Sequence, residues 1–346
     1  MKLIIFAGGI GTRLWPLSRE NSPKQFDKIF SGKSTLELAI NRVEKVFGIE
    51  NILIQTMENY KDEIKKQIPN LPDNNIIIEP CRRNLGPAVC LSAIELKNRG
   101  FAGPVALLWA DHLMKRPEEF INALKKAESL IKKDSKRFVF IGEQPRFANN
   151  NLGWIQIGDQ SGEIDNKKYY NFLGWKYKPA ANECSKMFES GDYLWNPGYF
   201  ITSIEFLLNC YKELSPTIYK DVNESNYAQA EAIHFDRAIA EKLDLSQAVV
   251  IKTNMGWSDP GTLYALKEAL AKTEKENVLE GNISCLNTSD CLLYNLEKNK
   301  LVTAVGLNGM AIVNTPDALV VVSKKEVVNI TNLVKQLRKE GKEKYL

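Results

Sequence analysis

Short apolar runs punctuate residues 1–145, and amphipathic stretches fill the gaps between them. The runs are Leu3 to Ala7, Ile52 to Thr56, Ile76 to Ile78, Val105 to Ala110 and Phe138 to Ile141; the amphipathic stretches cover 35–47, 58–68, 87–99 and 117–132. Strands of this length alternating with helices form βαβ units around a parallel sheet. Open sheets of that kind bind ligands at the carboxyl ends of their strands. The loops after Ala7, Ile78 and Ala110 are therefore the first places to look for chemistry.

Further along the pattern is mixed. Strands are expected near 153–158, 170–176 and 248–252, and helices near 181–190, 203–212, 231–242 and 260–271. After Lys272 the texture changes to β-prone runs at 283–286, 291–295, 301–305, 311–313 and 318–322. Their spacing of about eight to ten residues suggests a small all-β module. A polar amphipathic helix at about 326–341 follows it, and a domain boundary is expected near 272–280.

Composition excludes several classes of function. Apolar residues make up 44% and charged residues 25% of the 346, an ordinary globular balance. The net charge of +4 argues against binding nucleic acid or a membrane surface with the whole chain. No apolar run approaches the ~20 residues that span a bilayer. The N-terminal run is also too short for a signal-peptide core, and it meets Gly8-Gly9 rather than a cleavage site. Cysteines 81, 90, 184, 210, 285 and 291 form no C-x-x-C pair and read as reduced thiols of a cytoplasmic protein. With His112 and His234 as the two histidines, a His-rich zinc site is excluded.

The segment from Ala7-Gly8-Gly9-Ile10-Gly11-Thr12-Arg13 to Pro23-Lys24-Gln25-Phe26 carries the most chemistry. Its glycines let the backbone take positive φ and approach a ligand closely. Successive N–H groups then make an anion-binding concavity, and Arg13 and Lys24 add two cations. A plain strand-to-helix turn is the alternative. Two better-known phosphate motifs do not fit: Leu14 stands where the dinucleotide fingerprint needs glycine, and Asp27 stands where a Walker A loop would begin. Ser34 with Glu37 instead reads as a capping box. Asp111 follows a strand, so its carboxylate is placed to point into a crevice or to cap the turn. Asp259, ahead of Pro260-Gly261, reads locally as a helix N-cap with proline at the first position.

Together these residues resemble the signature of the sugar-1-phosphate nucleotidyltransferases. Leu14-Trp15-Pro16-Leu17-Ser18 and Pro23-Lys24-Gln25-Phe26 are most similar to the mannose-1-phosphate guanylyltransferase family. Matching segments follow in family order: Glu79-Pro80-Cys81-Arg82-Arg83-Asn84-Leu85-Gly86-Pro87-Ala88, Ala110-Asp111-His112, Trp195-Asn196-Pro197-Gly198-Tyr199-Phe200, Phe235-Asp236 through Glu241-Lys242, and Trp257-Ser258-Asp259-Pro260-Gly261. Val305-Gly306-Leu307 and Thr315-Pro316-Asp317-Ala318-Leu319 resemble the family's β-helical tail. The resemblance implies an α/β fold in two domains. Residues 1–272 would be a nucleotidyltransferase catalytic domain with a Rossmann-like, mostly parallel sheet, and 280–346 a short left-handed β-helix-like domain ending in a helix.

The implied reaction transfers GMP from GTP to mannose 1-phosphate, giving GDP-mannose and pyrophosphate with the help of Mg²⁺. By resemblance, Arg13, Lys24 and Asp111 are catalytic. Ala7, Gly8, Gly9, Gly11, Thr12, Arg13, Glu79, Asn84, Pro87 and Ala88 bind the nucleotide. Gly153, Lys178 and Asn196 bind the sugar phosphate, and Asp111 and Asp259 hold the metal. His112 is expected to support a neighbour by hydrogen bonding, and His234 to be structural. The sequence departs from the family at Leu85 and Gly86, which replace Thr and Ala and bear on guanine preference. It departs again at Tyr177, which replaces the glutamate of F-x-E-K-P and points to relaxed sugar selection. The same reaction on another base or hexose, and a non-catalytic nucleotide-sugar binder, are the alternatives; retention of Arg13, Lys24, Asp111 and Asp259 argues against the second. A homodimer, a single activity and no nucleic-acid or membrane partner complete the expectations.

Overall fold

The computed structural model describes residues 1–9, 11–19, 23–28, 32–165 and 167–346. Contacts divide the chain into two compact units, one of residues 1–8, 40–109 and 114–257, the other of residues 9–39, 110–113 and 258–346.

The first unit is built on a nine-stranded sheet. Its strands are β1 (Lys2–Phe6), β2 (Ile52–Met57), β3 (Ile76–Glu79), β4 (Pro104–Trp109), β5 (Phe138–Glu143), β6 (Gly153–Ile164), β7 (Lys167–Tyr177), β8 (Tyr193–Ser203) and β9 (Ala248–Thr253). The spatial order is β3-β2-β1-β4-β8-β5-β9-β7-β6, with β6 also paired to β8. The first four strands run parallel, with Ile4 opposite both Leu53 and Leu107. Nearly every residue of β1, β2 and β4 is buried, as in parallel strands covered on both faces. β8 enters antiparallel between β4 and β5, while β5 and β9 are parallel. Behind the sheet, Phe138, Phe140, Phe200 and Phe235 form one aromatic cluster with ring centroids 5.2–6.2 Å apart.

Several expectations need correction here. The helix read over 231–242 is two short pieces, Phe235–Ala238 and the 3-10 turn Ala240–Lys242, separated by Ile239 at φ −128. Phe235, Ala238, Ile239 and Ala240 are all buried, more than one amphipathic face can present, so packing overrides helical periodicity. A helix at Pro216–Asn223 and the long strand β8 are additions to the elements expected from spacing.

In the second unit, strands Val278–Glu280, Leu292–Asn295, Met310–Asn314 and Leu319–Ser323 form one sheet in that order, and Ile283–Leu286 pairs with Val302–Val305. Most of these pairings are parallel and join a strand to the next but one in the chain, as coils of a β-helix require. Alternation with period two splits the side chains. Leu293, Cys291 and Ile312 pack inward with Ala304, whereas Leu292, Tyr294, Ala311 and Val313 pack on Leu14, Trp15, Leu17, Leu263, Leu266, Ile330 and Val334. The closing helix is Ile330–Lys339. Among the described residues no helix is long and apolar enough to cross a membrane.

Candidate active site

The capping box is present. Glu37 N donates to Ser34 Oγ at 3.0 Å and Ser34 N to Glu37 Oε2 at 2.7 Å, opening the helix Thr35–Phe47. Just before it, Leu36 N donates to Gln25 O at 3.1 Å and Gln25 Nε2 to Gly9 O at 2.8 Å, so the Pro23-Lys24-Gln25 segment is tied to the glycine loop. Gly11 has φ +70, and a Cβ there would lie 2.9 Å from Lys24 Cβ and 3.3 Å from Ser18 Oγ. Only glycine allows that approach. Gly8 and Gly9 lie outside the left-handed region, so among these three glycines Gly11 takes the positive φ. Among the described residues the amides of Gly8, Gly9 and Gly11 donate to no partner. Ile10 and the Thr12 side chain lie outside the described residues.

Lys24, placed in this way, is 3% exposed, and its Nζ stands 3.1 Å from Asp111 Oδ2 and 3.6 Å from Asp259 Oδ1. Burial alone would raise the Asp111 pKa, but the charges of Lys24 and His112 and the Lys24 hydrogen bond outweigh it and hold the carboxyl down to about 2. His112 is buried. Asp259 is not the helix cap that its local sequence suggests. The helix starts at Leu263, and Thr262 Oγ1 accepts from Ala265 N at 3.1 Å. The Asp259 carboxylate is therefore left to face Lys24. Arg13 reaches the same turn: its Nη2 is 3.3 Å, and the Asp259 carboxylate oxygens 3.4 Å, from where a Cβ on Gly261 would sit. Among the described residues Arg13 forms no ion pair.

No group of three or more His, Cys, Asp or Glu among the described residues could hold a metal ion, while two carboxylates converging on one cation are a donor set that fits Mg²⁺. That ion takes one or two carboxylates and completes its shell with water and phosphate oxygens.

In the first unit, Ala7 and Gly8 continue β1, with Thr56 Oγ1 donating to Ala7 O at 3.1 Å. Glu79 ends β3, and its Oε2 is 3.7 Å from where a Cβ on Gly8 would sit. Tyr227 OH and Arg83 N both donate to its Oε1, at 2.8 and 3.1 Å. Burial raises the Glu79 pKa, against the pull of Tyr227, the Arg83 amide and the Arg82 charge. Asn84, at φ 60, donates through Nδ2 to Ala232 O at 3.2 Å and precedes the helix Leu85–Asn98. Pro87 and Ala88 are buried in its first turn. The departure at Gly86 has a physical reason, since a Cβ there would lie 2.8 Å from Ile233 O.

Gly153, Asn196 and Lys178 gather at one end of β6, β7 and β8. A Cβ on Gly153 would be 3.5 Å from Asn196 Cβ. Tyr177 is opposite Gly153 in register, and Lys178, at φ 47, donates N–H to Leu152 O at 3.2 Å. Tyr177 is 72% exposed, with the Lys178 ammonium 5.2 Å from its ring centroid. His234 O accepts from Ala238 N at 3.0 Å. Tyr227 escapes sequence reasoning because nothing in Asn226-Tyr227-Ala228 marks it.

Comparison with known proteins adds the following. Residues 2–276 match the nucleotidyl transferase family model, and residues 281–337 match the mannoseP isomerase/GMP-like beta-helix domain. A mannose-1-phosphate guanylyltransferase of Escherichia coli is 31% identical over 368 residues, covering 98% of this chain and 77% of the relative. The mannose-1-phosphate guanylyltransferase RfbM of Salmonella typhimurium (strain LT2) is 31% identical over 362 residues, covering 99% and 73%. A solved structure described as mannose-1-phosphate geranyltransferase from Thermus thermophilus aligns with a TM-score of 0.86 at 26% identity, covering 97% of this chain and 99% of that one. A putative glucose-1-phosphate thymidylyltransferase from Bacillus anthracis, at 16% identity and a TM-score of 0.52 over 78% of this chain and 93% of that one, is alike in fold alone.

Proposed function

Because the chain belongs to the nucleotidyl transferase family and is a nucleotidyltransferase, we propose that it transfers GMP from GTP to mannose 1-phosphate. A phosphate oxygen of the sugar phosphate attacks the α-phosphorus of GTP, the bond to the β-phosphate oxygen breaks, and GDP-mannose and pyrophosphate form. The observation that carries this reading is Lys24, bonded to Asp111 and 3.6 Å from Asp259 beside a glycine loop whose Gly8, Gly9 and Gly11 amides have no partner among the described residues. No protein nucleophile is needed, so alignment and charge neutralisation supply the catalysis.

In this reading the amides of Gly8, Gly9 and Gly11 and the Arg13 guanidinium hold the β- and γ-phosphates. Lys24 neutralises phosphate charge, and Asp111, ionised at all physiological pH, holds Mg²⁺ with Asp259. When bound, that ion supplies Lewis-acid neutralisation of the triphosphate. Gly153 and Asn196 hold the sugar, and Lys178 its phosphate. We place the reaction in the cytoplasm, in keeping with six free thiols. A matrix of nucleoside triphosphates against sugar 1-phosphates, read by pyrophosphate release, tests the reading. GTP with mannose 1-phosphate should give the highest kcat/KM, and no release from that pair would end it.

A further inference from the structure

Glu79 is only 8% exposed, yet among the described residues just one of its carboxylate oxygens is used. Oε1 accepts the Tyr227 hydroxyl at 2.8 Å and the Arg83 amide at 3.1 Å. Each carboxylate oxygen offers about two lone-pair sites, so Oε1 is saturated. Oε2 accepts nothing among the described residues and faces the bare backbone of Gly8, 3.7 Å from where a Cβ would be. Tyr227 is itself 4% exposed and begins the 3-10 turn Tyr227–Gln229, so its hydroxyl has little freedom to swing. A buried acceptor with one satisfied side and one open side is an oriented hydrogen-bonding group.

We infer that Tyr227 is a positioning residue for base selection: by holding Oε1 of Glu79 it turns Oε2 toward Gly8, to accept the N1–H or 2-amino hydrogen of guanine. This rests on the guanylyl-transfer reading above. Adenine has an acceptor at N1 and no 2-amino group, so it sets a lone pair against the carboxylate. A site built to bond a donor rejects analogues that lack one, because its buried acceptor is left unpaired. Without the Tyr227 hydroxyl the carboxylate is free to turn, and the distinction between the two bases weakens.

Tyr227→Phe keeps the ring and removes the bond. With mannose 1-phosphate as acceptor, kcat/KM for GTP should fall about ten-fold, mostly through KM, as expected for a hydrogen bond to a charged group. ATP should change less than about two-fold, so the preference for GTP narrows. Equilibrium binding of GTP and ATP, measured by calorimetry, should narrow in the same way. Equal losses for both nucleotides, as a packing defect or a ribose contact would give, overturn the inference, and so does an unchanged preference. If Tyr227→Phe does not fold, Glu79→Gln must narrow the preference instead, and an unchanged ratio there is equally fatal. A wild-type protein that releases no pyrophosphate from GTP and mannose 1-phosphate overturns the parent reading. Wild-type turnover with an unaltered ratio in the variants overturns this inference alone.

Discussion

The Lys24 ammonium lies 3.1 Å from the Asp111 carboxylate, and the two side chains differ sharply in exposure, at 3% and 40%. The lysine has little water to turn to, whereas the aspartate is open enough to meet a ligand. A carboxyl whose pKa is held down to about 2 stays ionised near neutrality. Asp111 therefore acts as a fixed negative charge.

Lys24→Ala and Arg13→Ala should each cut turnover about ten- to hundred-fold, the worth of one charge-assisted hydrogen bond. Steady-state kinetics on folded protein, verified by circular dichroism, provide the measurement. Wild-type kinetics in either variant would remove that residue from phosphate binding.

Acid unfolding gives a separate check on the pair. A carboxyl whose folded pKa is depressed from 3.8 to about 2 contributes stability in full above its ordinary value, and loses it as pH falls toward 2. The Tm gap between wild type and Lys24→Met should accordingly be constant from pH 7 to about 5 and close between about 4 and 2. A gap that widens on acidification would contradict the pairing.

Turnover should vanish with a chelator and return with Mg²⁺ or Mn²⁺. Asp111→Asn and Asp259→Asn should each raise the metal concentration needed, by roughly ten-fold or more, and weaken Mn²⁺ binding measured by electron paramagnetic resonance. Chelator-resistant turnover would rule the metal out.

Sugar selection should change in Tyr177→Glu. Tyr177 sits opposite Gly153, where a carboxylate would accept hydroxyl hydrogen bonds that a phenol matches poorly. Wild type should turn over mannose 1-phosphate with weak discrimination against glucose and 6-deoxyhexose 1-phosphates, and the variant should sharpen it by roughly ten-fold. Identical kcat/KM ratios would place Tyr177 outside the sugar site.

Local signals carried much of this structure. The strand and helix alternation of residues 1–145, the Ser34–Glu37 cap and the β-prone tail rest on spacing, and the structure reproduces them. Strand β8 was hidden because Asn196-Pro197-Gly198 reads as a turn, yet lies within an interior strand. Gly198 at φ +77 and the register shift between Ile141 and Glu143 accommodate the irregularity there. Thr262 took the cap expected of Asp259, a choice settled by three residues of chain geometry. The Tyr227–Glu79 bond spans 148 residues, and no periodicity reports a contact of that range.

The glycine loop leans on residues far along the chain. Leu14, Trp15 and Leu17 share a core with Leu292, Tyr294 and Val334, and Trp15 Nε1 donates to Tyr345 O at 2.7 Å, 330 residues downstream. Arg19 Nη1 donates to the same carbonyl at 2.7 Å. Without those residues the segment just ahead of Lys24 would lose much of its apolar wall, keeping Leu263 and Leu266. A chain that carries the complete glycine motif but lacks these distant partners thus holds the motif without its apolar support.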